Sequence, residues 1–156
     1  MLSDALSIAD ALKRTLEAEV GRARREREVL RTLDSDRLFA SASARAAFNA
    51  EVARLEARLA AALSGAAGSL GITEVTLARL RLAAPAEAET LSGTLADVRA
   101  LAGALAELDR LNLMLAGRAL ACVQGYLGAL APAPAAYDRR GIRAGGRTLA
   151  AVSSKA

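Results

Sequence analysis

The chain has 156 residues, 40 of them Ala and 26 Leu, with no His or Trp, a single Cys and four aromatic side chains. Only ten residues are Val or Ile, so a sheet has little to be built from, and Ala and Leu stand high on the helix scale; the prediction is one all-α chain of ordinary domain size. The formal charge of +4 is unevenly placed: residues 1–137 carry 16 basic and 16 acidic side chains, and the excess lies in the last 19 residues, where Arg139, Arg140, Arg143, Arg147 and Lys155 meet only Asp138.

This inventory argues against an enzyme. Without histidine the commonest general base, the commonest metal ligand and every Ser-His or Cys-His nucleophile pair are missing. Cys122 has no partner for a disulfide or a metal cluster, and in its apolar surroundings it reads as a small core residue. The acids are scattered among basic neighbours, and Gly141-Ile-Arg-Ala-Gly145-Gly146-Arg147 has neither the preceding strand nor the following helix of a phosphate cradle. No cofactor is expected. The opening Met1-Leu-Ser3-Asp4 lacks the basic-then-apolar layout of a secretory signal, which points to the cytoplasm.

Ser3 and Asp4 are capping residues, and an a/d rhythm follows at 2, 5, 9, 12, 16, 19, 23, 26, 30 and 33, all Leu or Ala except Glu19 and Glu26. The charges of Arg22–Arg31 read as a solvated face rather than a nucleic-acid patch. Asp34-Ser-Asp36 could break the helix or sit in it as an exposed turn, and helix is expected to continue past it, kinked or straight. There Leu38, Phe48, Val52, Leu55, Leu59 and Ala62 resume the rhythm, interrupted by Ser41 and Arg45. Gly65, Gly68 and Gly71 predict the turn that ends this arm.

A short amphipathic piece over 73–83 comes next, and Pro85 with Glu87 and Glu89 marks a second long helix start. Its seam runs Leu91, Val98, Leu101, Leu105, Leu108, Asn112, Leu115, Ala119, Cys122, Tyr126 and Ala129, with Thr94 as a further polar member. A helix from about 86 to 131 would span roughly 70 Å, which favours elongated antiparallel arms, a coiled-coil-like hairpin, over a globule. Asn112 reads as a polar residue that fixes register in the core.

After Arg110 the helix becomes apolar on almost every side, with Arg118 the only charge before Asp138. Leu113, Leu120 and Leu127 recur every seven residues, and Leu111, Met114, Val123 and Leu130 fill other faces. A membrane would need 111–131 as a span, which Asn112, Arg118, Gln124 and three glycines oppose, so no stable membrane insertion is expected. The chain's own helices and a partner both remain as covers, and Gly117, Gly125 and Gly128 make the segment marginal without one. Beyond a helical body at 1–131, residues 132–156 read as a flexible basic tail in which Tyr137 has no core to bury it. Few aromatics and a charge-neutral body leave nucleic acid an unlikely partner.

The Leu-Glu-Ala-Arg-Leu run at 55–59, the Gly-rich connection, Leu108-Asp-Arg-Leu111-Asn112-Leu-Met-Leu115 and Tyr137-Asp138-x-x-Gly141 occur in an order that resembles the FlgN family. These are the type III export chaperones of the flagellar hook–filament junction proteins. The resemblance implies a cytoplasmic, non-enzymatic chaperone. It would bind the C-terminal helical segments of FlgK and FlgL, prevent their premature assembly and deliver them to the export gate protein FlhA. Tyr137, Asp138 and Gly141 match the family's gate-contacting motif. The client-binding face is drawn from the helix pattern instead: Leu113, Met114, Leu120, Val123, Leu127 and Leu130. The chain is expected to be a monomer or weak homodimer; the competing expectation is a coiled-coil scaffold that self-assembles without a client.

Overall fold

The computed structural model describes residues 2–130, all helix and connection with no strand among them. The helices are α1 (Ser3–Thr32), α2 (Ser35–Ser69), α3 (Leu77–Ala83) and α4 (Pro85–Leu130). Two compact units divide the chain, Met1–Ala119 and Leu120–Ala156, and of the second only 120–130 is described. The predicted basic tail, with Tyr137, Asp138 and Gly141, lies outside the described residues.

The expectation that helix runs on past Asp34 is overturned. Leu33 adopts a left-handed conformation, φ 52°, and the Asp34 carboxylate accepts the Arg37 backbone N–H at 3.1 Å, so one helix stops and another is capped within two residues. The sequence offered Asp34 as either breaker or exposed turn, and its side chain does better as a cap than as a helix-interior residue. Gly65 and Gly68 do not end α2 but lie inside it, and the stop falls at Gly71, φ 68°. There the N–H of Ile72 reaches the Ala67 carbonyl at 2.9 Å and that of Gly71 reaches Gly68 at 3.2 Å, the paired bonds of a Schellman cap. Pro85 opens α4, its missing N–H costing nothing in a first turn.

Cross-helix contacts fix the directions within the first unit. Leu2 N–H reaches Glu87 and Lys13 reaches Asp97, while Asn112 reaches the Ala23 carbonyl, so α1 and α4 run parallel. Ser41 meets Glu26 and Arg45 meets Glu19, so α2 runs against α1, and Arg45 also pairs with Asp109 of α4. The expected antiparallel arms on either side of the glycine turn are α2 and α4, while the closest-approaching pair, α1 with α2, is a second antiparallel hairpin that the expectation did not contain. The last long helix returns alongside them after the short α3.

The core holds Leu2 at the cap of α1, Leu12 and Leu16 of α1, Leu55 and Leu59 of α2, Leu80 of α3, and Leu91 and Leu105 of α4. On α1 the a/d rhythm understates the buried stripe, because Ile8 and Val20 are buried beside it. A helix with two neighbours hides a wider face than one in a two-stranded seam.

Candidate functional site

Apart from Thr94, the polar exceptions on the seams of α1, α2 and α4 prove to be linked to one another. Glu19, buried to 5 % exposure, pairs with Arg45 of α2 and with Arg22 of its own helix, and Arg45 extends the chain to Asp109. The Arg45 guanidinium also stands 5.5 Å from the centre of the Phe48 ring. Two turns further along α1, Glu26 accepts from the Ser41 hydroxyl at 2.7 Å and from the Asn112 amide at 3.0 Å. Asn112 is buried as expected: its Nδ2 also donates to the Ala23 carbonyl at 2.9 Å, and its Oδ1 accepts from Arg27 at 3.4 Å. With both amide protons and its oxygen engaged, this side chain joins α1 to α4 at one register, which is a structural role.

The α4 seam is covered unevenly. Leu91, Leu105 and Asn112 are buried and Val98, Leu101, Leu108, Leu115 and Ala119 are half-buried, whereas Cys122, Tyr126 and Ala129 are exposed. Cys122 is a free, exposed thiol and thus not the core residue its apolar neighbours suggested. The predicted client-facing residues are exposed without exception, from Val123 at 38 % to Leu130 at 79 %.

They do not form a single face. At about 100° per residue, Met114 points about 100° away from Leu113, and both belong to the first unit. In the second unit, Leu120, Val123, Leu127 and Leu130 fall within an arc of about 80°, at the i, i+3, i+7 spacing of one helix stripe. The glycines beside them carry no close neighbour: a Cβ placed on Gly117, Gly125 or Gly128 would meet no atom within 4 Å. Each glycine costs a helix interior about 1 kcal/mol relative to Ala, so a stretch with no packing to offset that loss is poised to be ordered by whatever covers it.

By length and apolarity α4 also contains a stretch that could cross a membrane, none of it buried in the fold. Arg118 and Gln124 are the polar side chains within it. Among the described residues no cluster of His, Cys, Asp or Glu could hold a metal ion.

Comparison with curated proteins and with solved structures finds no match. A family model described as FlgN protein does match, over residues 1–144, an extent that includes all four helices, the exposed stripe and the Tyr137-Asp138-x-x-Gly141 motif. The chain belongs to the FlgN family, a family of flagellar chaperones.

Proposed function

We propose that this chain is a cytoplasmic type III export chaperone whose clients are the hook-associated proteins FlgK and FlgL. The observation that carries the reading is the exposed stripe Leu120, Val123, Leu127 and Leu130 on a glycine-bearing helix with no cover of its own. Such a stripe suits the apolar face of a client's C-terminal helix, laid against it as one amphipathic helix on another. Occupied in this way, the client's helix is withheld from assembly. Release needs no nucleotide, because an interface built on a marginal helix returns part of its binding energy as ordering cost.

Leu113 adds to the apolar surface offered by α4, while Met114 is better assigned elsewhere. Tyr137, Asp138 and Gly141 are the residues by which the chaperone engages the export gate FlhA, the aromatic ring acting as anchor. The chaperone works as a monomer or weak homodimer, without a cofactor, nucleic acid or stable membrane insertion.

Titration calorimetry with FlgK and FlgL of the same organism tests this. The wild type should bind at least one with a Kd of about 1 μM or tighter, the range of a specific complex. Leu127→Asp should weaken that binding at least about tenfold, since a carboxylate would be buried unpaired at the interface. Tyr137→Ala should leave the client affinity unchanged and weaken capture by FlhA. Binding to neither client sinks the reading, and a stable oligomer in sedimentation that Leu127→Asp disperses would favour the self-assembling scaffold.

A further inference from the structure

Met114, displaced from the client stripe, belongs to a second surface of the first unit. It lies with Leu111 and Leu115 on the floor of a groove between α1 and α4, and Arg27, Arg31 and Arg118 line the same groove. Its volume of about 210 Å³ is too small for a cofactor or metabolite site, which typically needs roughly 300 Å³ or more, but suits a side chain presented by a larger partner.

The rim is unbalanced in charge. Arg118 has no carboxylate partner among the described residues, and Arg27 is held by the Asn112 amide oxygen rather than by an acid. Arg31 meets only Glu28, at 3.4 Å, with both side chains well exposed. Exposed pairs of that kind contribute little and yield readily to a better partner. Three guanidiniums around an apolar floor recognise carboxylates flanking an apolar side chain, because the planar fork binds a carboxylate through two parallel hydrogen bonds and is weakly hydrated.

We infer that this groove is a second docking point for the client, taking an acidic amphipathic segment whose apolar residue enters between Leu111, Met114 and Leu115 and whose carboxylates meet Arg31 and Arg118. The inference rests on the client-binding function proposed above, to which it adds the chemistry of the partner. The chain's own last 19 residues are a poor occupant, since Arg139, Arg140, Arg143, Arg147 and Lys155 would be driven off by the same three arginines. A second copy whose two-fold axis passed through the groove would set this rim against itself, cation facing cation.

The test compares three proteins by calorimetry against whichever of FlgK and FlgL binds: wild type, Leu127→Asp, and the double charge reversal Arg31→Glu with Arg118→Glu. Both arginines are exposed, and an unchanged thermal unfolding curve verifies that the double variant stays folded. The double variant should lose at least about tenfold in affinity and show a shallower dependence on salt than wild type, as expected when rim charges attract an oppositely charged partner. Lysine substitutions at the client's acidic positions should restore its binding. If Leu127→Asp loses the client while the double reversal binds like wild type, the groove is overturned and the chaperone reading stands; if wild type binds neither client, both fall. Loss confined to binding of phosphatidylglycerol vesicles, with client affinity intact, would assign the arginines to a lipid surface and overturn the inference.

Discussion

The first unit has two ends built on different physics. Where α1 begins, α2 finishes and α4 begins, Leu2, Leu80 and Leu91 are fully buried and the contacts are hydrocarbon on hydrocarbon. Where α1 finishes and α2 begins, no residue of α2 before Leu55 is buried, and α4 contributes only Asn112 as a buried residue beyond Leu105. That end is held by Glu19, Arg45 and Asp109 and by Glu26, Ser41 and Asn112. Apolar packing is strong but indifferent to small shifts along the helices, whereas paired charges and a doubly donating amide hold in one register only. The alanines that make up much of early α2, Ala40, Ala42, Ala44, Ala46, Ala47 and Ala50, leave little hydrocarbon there to do the work.

The largest effect should come from the apolar end. Leu91→Ala deletes a fully buried side chain and is expected to cost about 3 kcal/mol, within the usual range for large-to-small core changes, read by urea unfolding. A loss below about 1 kcal/mol would mean that this end can collapse around the gap, and the contrast with the polar end would shrink.

Next comes Arg45→Ala, which leaves the Glu19 carboxylate buried beside Arg22 alone. Removing one partner of a buried pair costs about 3–5 kcal/mol, and because Arg45 is partly exposed the expectation here is lower, about 2 kcal/mol. The sharper comparison adds Glu19→Met to Arg45→Leu. If the charges serve register more than stability, the double variant should unfold at nearly the wild-type urea midpoint. Its amides near Ala23 and Asn112 should nevertheless exchange faster with solvent. A double variant as unstable as Arg45→Ala would show that the ion pairs are the main source of stability there.

Much of the fold could be read before any coordinates. The apolar rhythm marked the stretches that became α1, α2 and α4, though not the break between the first two, Pro85 opened α4, and Asn112 fell on the buried seam where it was expected. What escaped was pairing. Glu19 and Glu26 on α1, Ser41 and Arg45 on α2 and Asn112 on α4 each registered as an isolated break in an apolar pattern, yet the breaks answer one another in charge and hydrogen-bonding capacity. Matching them would have required the reversal at Leu33–Asp34, and a left-handed Leu has no signature in composition. The candidate site was half legible for a similar reason. The seven-residue repeat put Leu120 and Leu127 together, but Val123 and Leu130, read as lying on other faces, join the same stripe on the helix, and an apolar residue such as Cys122 or Met114 looks the same in sequence whether a neighbour covers it or not.

The smallest expected effects concern two polar contacts, one half-buried and one exposed, that tie the start of α1 to α4, and they are separable by pH. Glu87 accepts the Leu2 backbone N–H at 3.0 Å, and that hydrogen bond holds its carboxyl below the ordinary value of 4.5. Folding thus favours its ionised form, so the contribution is complete above 4.5 and is lost as pH falls through the lower folded value. Lys13 is the mirror case. Its hydrogen bond and charge pairing with Asp97, at 2.6 Å, raise its ammonium above 10.5, so its contribution is complete below that value and is lost as pH rises through the folded one. Thermal midpoints should therefore separate wild type from Glu87→Gln by a small gap at neutral pH that closes in acid, and from Lys13→Met by one that closes in alkali. A gap that keeps its size across the whole range would show that these side chains act by packing their stems against the neighbouring helix rather than by charge, and the apolar end would then owe nothing to electrostatics.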